Sequence, residues 1–168
     1  MQRIADPLEL LTAQHDQLDK LIARVATARD LQVRSAAFDR LADKLVEHLA
    51  VKQELVYPIA KSVISEATLT ELLAEHVEIK RVLADLLWFE IEDAQFDSRL
   101  ETLMTLVEGH MQWQEDELFV TLAQSLMNDQ LVSLGESLNA WFDRGDTTFM
   151  PNTATEESST AAAIAVAA

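Results

Sequence analysis

Apolar residues recur along this chain at steps of three and four, the spacing that gathers side chains on one face of an α-helix. The first stripe is Leu8, Leu11, His15, Leu18, Ile22 and Val25. Asp6 suits the N-cap before it, Pro7 the first helical position, and Glu9 completes a D-x-x-E box, so a helix is predicted to about Ala28. Arg29 to Arg34 reads as a short connection. A second stripe holds Phe38, Leu41, Leu45, His48, Leu49 and Leu55. It is disturbed at Tyr57-Pro58, where proline removes a backbone bond and predicts a kink or a stop. Ser65 to Thr70 offers the next N-cap, and the third stripe follows: Leu69, Leu72, Leu73, His76, Ile79, Leu83 and Leu86, ending near Trp88 to Asp93. The fourth starts at about Asp97 or Ser98 and carries Leu100, Leu103, Leu106, Val107, His110, Trp113, Leu118 and Leu122. A shorter fifth helix, about Asp129 to Phe142, presents Leu131, Leu134, Leu138 and Trp141. Beyond Gly145 the stripe ends and Thr, Ser, Glu, Asn and Ala take over. The expectation is an all-α fold: an antiparallel up-down-up-down four-helix bundle with a short fifth helix over residues 1–145, and a flexible tail over 146–168.

Composition narrows what such a bundle can do. The 168 residues carry 29 Asp and Glu against 13 Lys and Arg, a formal charge of −16. Nearly all of the acidity belongs to the bundle, which argues against nucleic acid or an anionic membrane as partner, since both need a basic face. The absence of Cys excludes disulfides, thiolate zinc sites, iron–sulfur clusters and cysteine nucleophiles. Three glycines leave little for phosphate-cradling loops, and no strand–turn–helix elbow presents a serine. The N-terminus lacks the apolar core of a signal peptide, and the longest apolar run, Ala161 to Ala168, is too short for a bilayer. A cytoplasmic protein is expected.

The histidines fall on an internal repeat. Leu11-Thr-Ala-Gln-His15-Asp-Gln-Leu18 aligns with Leu72-Leu-Ala-Glu-His76-Val-Glu-Ile79. In the same way Leu45, His48, Leu49, Val56 and Tyr57 align with Val107, His110, Met111, Leu118 and Phe119. The chain reads as two helical hairpins with one histidine per helix, spaced 33 and 34 residues apart. Each histidine takes a place in a stripe where Leu is ordinary, so all four face the core and equal spacing allows them one level. A lone core histidine is ordinarily held by a neighbour's hydrogen bond; four converging imidazoles need something to satisfy their nitrogens. Metal ions do so, and imidazole suits Fe, Zn and Cu.

With His15, His48 followed by Tyr57-Pro58, His76, and His110 followed by a Glu-rich stretch to Leu118-Phe119, the sequence resembles the hemerythrin-like, or HHE cation-binding, family over about residues 6 to 142. The resemblance implies a four-helix bundle around a non-haem di-iron centre, with histidines capping the irons and two carboxylates bridging them. It implies oxygen binding, iron or oxygen sensing, or redox defence, with a small diatomic molecule as ligand. The candidate metal ligands are His15, His48, His76, His110 and Glu115.

The sequence also departs from the family. Bridging carboxylates stand four or five residues after the second and fourth histidines, because i+4 returns to the same helix face. Here those positions are Lys52 and Gln53 in the first hairpin, Gln114 and Glu115 in the second. Glu54 lies about 240° round the helix from His48, and Leu72 stands where the oxygen carriers have another histidine. An ammonium beside two metals is repulsive in a low-dielectric core. Three arrangements stay open: two metals, one metal, or a metal-free core in which Lys52 pairs with Glu115. Lys80 reads as a snorkelling surface lysine. Met111, Trp113 and Trp88-Phe89 read as packing; Asp16, Asp19 and Glu75 are possible acceptors beside the histidines or a solvated face. The functions in play are a binding or sensing domain for oxygen, nitric oxide or iron, a metal-free scaffold acting through protein contacts, and a small redox enzyme for peroxide or nitric oxide. The lost carboxylates weigh against the enzyme.

Overall fold

The computed structural model describes residues 6–147, with side chains to 144, and it is helical with short turns. Helix α1 spans Pro7–Thr27. Helix α2 spans Leu31–Val51 and continues through a π-helical turn, Lys52–Val56, into one more α-helical turn, Tyr57–Ala60. Helix α3 spans Glu66–Leu86. Helix α4 spans Ala94–Trp113 and likewise continues through a π turn, Gln114–Leu118, into Phe119–Ser125. Helix α5 spans Asn128–Thr147. The expected tail otherwise lies outside the described residues.

Side-chain caps set where the helices begin. Asp6 accepts from the Leu8 N–H, Asp30 from Val33, Ser65 from Thr68 and Asp93 from Gln95. Asp30 and Asp93 start α2 and α4 earlier than the apolar stripes suggested, so the α1–α2 connection shrinks to three residues, 28–30. The fifth helix, at 20 residues, is not short. Near Pro58 the helix stops, at Ala60, and just before the proline it makes a π turn in which the Tyr57 N–H bonds the Lys52 carbonyl five residues back. Proline does not cause this, because α4 makes the same turn at the repeat position, Phe119 N–H to Gln114 carbonyl, without one.

Each of α1 to α4 packs against its two neighbours in an antiparallel ring, and α5 lies on α1 and on the first π turn. The interior divides into two apolar clusters. One contains Leu18, Leu41, Leu45, Ile79, Leu86, Leu100 and Leu103, with Phe38 and Phe96 edge to face at 5.0 Å. The other contains Leu11, Val51, Val56, Leu72, Leu118, Leu122, Leu134 and Leu138. Burying one such side chain contributes about 1.5–3 kcal/mol. At the far end of the first cluster, Arg34 donates to the Val25 and Ile91 carbonyls and pairs with Asp97, tying α1, α2 and α4 together. Leu73, counted on the third stripe, is 38% exposed, one position off the buried face held by Leu72 and His76. Among the described residues no helix is long and apolar enough to cross a membrane.

Candidate functional site

A layer of polar side chains marks the boundary between the two apolar clusters on the four long helices. On α1, His15 stands between Leu11 of one and Leu18 of the other; on α3, His76 stands between Leu72 and Ile79. His48 and Lys52 interrupt α2, and His110 and Gln114 interrupt α4. These six residues are the buried polar side chains among the described residues, none more than 3% exposed, and they form one polar layer across the bundle. The repeat therefore placed the four histidines correctly at one level. Ring centroids lie 5.0 Å apart for His15 and His48, 4.9 Å for His76 and His110, and 6.4 Å for His48 and His110.

Outer partners orient the imidazoles. The His15 Nδ1–H donates to Glu115 Oε1 and the His110 Nδ1–H to Glu75 Oε2, both at 2.6 Å, since a carboxylate only accepts. Gln14 Oε1 lies 3.3 Å from His48 Nδ1. With Nδ1 engaged outward, the Nε2 atoms turn inward, which is how ligating histidines are held in metal proteins. Inside, Tyr57 O–H donates to His76 Nε2 at 2.8 Å and the Gln114 amide donates to His110 Nε2 at 2.7 Å. That leaves two acceptors, His15 Nε2 and Gln114 Oε1, facing each other at 3.2 Å, while His76 Nε2 lies 3.2 Å from His110 Nε2. His48 Nε2, His76 Nδ1 and Lys52 Nζ are buried with no hydrogen-bond partner.

Burial governs the charges. It draws His15, His76 and His110 down to about 3, with Lys52 adding for His15 and His110 and neighbouring His110 for His76. His48 is lowered by the same burial and then by Lys52. The imidazoles are therefore neutral at pH 7, and their short contacts with Glu115 and Glu75 are hydrogen bonds rather than ion pairs. Burial also holds Lys52 well below the ordinary lysine value. Its Nζ rests 4.5 Å from the centroid of the Phe119 ring.

Glu115 does not pair with Lys52. Its side chain is 37% exposed and holds the outer nitrogen of His15, at the edge of a cleft of about 370 Å³. Asp19, Ile22, Met104 and Met111 also line that cleft, which reaches inward to His15. Of the three flanking acids only Glu75 meets a histidine; Asp16 and Asp19 are solvated. Lys80 is exposed and donates to Gln53. Trp88 is 88% exposed and so packs in neither cluster. Gln114 is buried at the bridging position expected for it from the sequence, whereas Gln14 was not foreseen. The repeat carried the signal for Gln14, since it precedes His15 as Glu75 precedes His76.

An antiparallel bundle with a histidine layer between two apolar clusters defines a class of protein whose core is built to hold something polar. The sequence pattern of the hemerythrin HHE cation binding domain matches residues 6–122, and the chain belongs to that family. A solved hemerythrin HHE cation binding domain-containing protein from Mycobacterium kansasii is similar in fold, with a TM-score of 0.76 at 20% identity over 86% of this chain and 89% of that one. The chain is also 24% identical over 122 residues to a protein named DNA nickase from Nostoc sp. strain PCC 7120, covering 73% of this chain. It spans about a third of that protein's length, 35%.

The family implies a bound cation, and the donor set can be tested against it. The inward Nε2 atoms are the right kind of donor for a cation, but they are not gathered around one point. The positions between them do not fit two: Lys52 and Gln114 point inward where anionic bridges are needed, and Glu115 is turned outward. Among the described residues no three His, Asp or Glu side chains are gathered closely enough to hold one ion. As encoded, the side chains present do not make a two-metal centre.

Proposed function

We propose that this chain is a non-catalytic HHE domain whose centre is closed by its own side chains, and that it works as a helical binding module through protein contacts. The observation that carries this reading is Lys52, a fully buried lysine with no acidic partner in the layer where the family binds its cation. Oxygen chemistry at two irons requires bridging carboxylates to neutralise the metals and fix their separation; Lys52 and Gln114 supply neither charge. A role in handling oxygen, nitric oxide or iron at a two-iron centre is correspondingly disfavoured. Leu87 and Trp88, 64% and 88% exposed at the end of α3, are apolar groups a partner would cover. The nicking activity named for the Nostoc relative is not extended to this chain, which has no basic excess with which to hold a nucleic acid.

The test is iron uptake. Metal-stripped protein is offered Fe(II), then desalted, and its iron content and visible spectrum are read. The expected outcome is no retained iron and no oxo-bridge absorption. Two irons per chain would overturn the proposal.

A further inference from the structure

The seam between α1 and α4 is open along much of its length. Ala23 and Ala26 on α1 leave room there that larger side chains would fill. The cleft of about 370 Å³ beside His15 lies in this seam, and a second, of about 450 Å³, continues it past Met104, which lines both. From Asp97 to Gln112 the groove follows α4 for about 22 Å, taking about 1.5 Å per residue, the length of a helix of about 15 residues. Its apolar lining includes Ile22, Leu100, Met104 and Met111, and methionine adapts to apolar partners of different shape.

Charge is unevenly spread along the groove. The half beside His15 is lined by Asp19, Glu108 and Glu115 and by no lysine or arginine. Burial raises Asp19 and Glu115 above the ordinary carboxylate range, and the neighbouring Asp16 raises both further. The other half is mixed: Arg34 pairs with Asp97, and Arg29 and Glu101 line the same cavity. We propose that this groove docks a basic amphipathic helix of a partner protein, with its apolar face on Met104 and Met111 and its lysines or arginines over Asp19, Glu108 and Glu115. The inference rests on the reading of the chain as a binding module and gives that module a site and a class of partner.

Charge also decides between the occupants. A second copy of this chain carries −16 and would bring acid to an acidic rim. The chain's own residues 148–168 contain Glu156 and Glu157 and no lysine or arginine, so they suit the rim no better. A basic helix offers both complements, apolar anchors spaced by three and four residues for the floor and cations for the rim. The mixed half of the groove opens at the end of the bundle where Leu87 and Trp88 are exposed, so a longer partner finds further apolar surface at that end.

The probe is a fluorescently labelled leucine–lysine peptide of about 18 residues, patterned as an amphipathic helix. A leucine–glutamate peptide of the same pattern and a serine–lysine peptide of the same charge serve as controls. The full chain is titrated with each at low and moderate salt, and backbone amide shifts locate the contact. The leucine–lysine peptide should bind, more weakly as salt rises, and better than either control. The largest shifts should fall on the groove segments of α1 and α4. Asp19→Asn with Glu108→Gln should weaken binding roughly 3- to 10-fold, the worth of two exposed ion pairs. Asp39→Asn with Asp43→Asn removes the same charge from exposed positions of α2 outside the groove and should change binding less than about 2-fold. Ala23→Lys, at an exposed helical position, should weaken binding by placing bulk and a cation in the groove without disturbing the core.

Equal losses from the two charge-removing pairs would show a general attraction of a basic peptide to an acidic protein, and would overturn the groove. Full binding by the serine–lysine peptide would do the same, as would shifts confined to the Leu87–Trp88 end. None of these results touches the closed centre. Iron retained by the metal-stripped chain would overturn that reading and leave the peptide result as it stands.

Discussion

Replacing Lys52 by methionine should make this protein more stable, and more so the lower the pH. In the folded chain burial keeps Lys52 as the free amine, well below its ordinary value of 10.5. In the unfolded chain it is an ordinary lysine and binds a proton below that value. The unfolded state therefore binds more protons in the window beneath 10.5, and stability must rise as pH rises toward it. The relief can be at most about 1.36 kcal/mol per pH unit over the part of the window in which the folded chain holds the free amine, flattening near 10.5. Methionine keeps the unbranched length, carries no ionisable group and makes a favourable contact with the Phe119 ring that Lys52 now overlies. The assay is urea unfolding of both proteins between about pH 8 and pH 10 in buffer with a chelator, which removes metal from the comparison. The wild-type curve should climb relative to the variant's, with the gap largest at pH 8. Parallel curves, or a variant less stable at every pH, would show that Lys52 is charged and compensated in the folded state.

Three further outcomes follow from the same layer and its surroundings. Tyr57→Phe removes the donor to His76 Nε2, and leaving that buried nitrogen unmet should cost about 1–3 kcal/mol in urea unfolding. The ring itself should be tolerated, because Phe119 stands at the repeat position in the other hairpin. His15, His76 and His110, held at about 3 against 6.5 unfolded, should contribute stability that is fully present above pH 6.5 and lost as pH falls below it, by up to about 1.4 kcal/mol per pH unit each; their imidazole proton resonances should not titrate down to pH 5, and titration near 6.5 would refute their burial as neutral groups. Leu103→Ala, at 0% exposure in the first apolar cluster, should cost about 2–5 kcal/mol by the same unfolding assay, whereas Trp88→Ala should stay within about 0.5 kcal/mol.

The helices and the histidine layer were legible because both are periodic. A core position on an amphipathic helix repeats every three to four residues, so a histidine in a leucine's place declares its direction. Helix starts were less legible because several residues could cap: Asp93, Asp97 and Ser98 are all competent before α4, and only packing selects Asp93. Leu73 was misplaced because the six apolar residues of the third stripe cover more of the helix than one face buries. The central polar partners were the least legible. Lys52 and Gln114, one α-helical turn after His48 and His110, face inward, and the π turn of each second helix begins at that residue. Glu115, one position further, is peripheral, although both lie within reach of the family's bridging position by sequence spacing.

Both hairpins carry the π turn, yet the duplicated hairpin does not give a symmetric site. Repeat-related pairs have drifted apart in chemistry: Gln14 against Glu75, Lys52 against Gln114, Gln53 against Glu115, Tyr57 against Phe119. In the second hairpin Glu75, His110 and Gln114 form a connected chain of hydrogen bonds that Tyr57 carries on to His76. In the first, His48 Nε2 and Lys52 Nζ have no partner at all. A polar layer that served only to fill space would be expected to satisfy both halves, or to replace the unmet pair by leucine and valine as in the clusters on either side. The layer instead retains three unmet nitrogens, His48 Nε2 and Lys52 Nζ in the first hairpin and His76 Nδ1 in the second, beside imidazoles still oriented from outside, so filling space is not an adequate account of it.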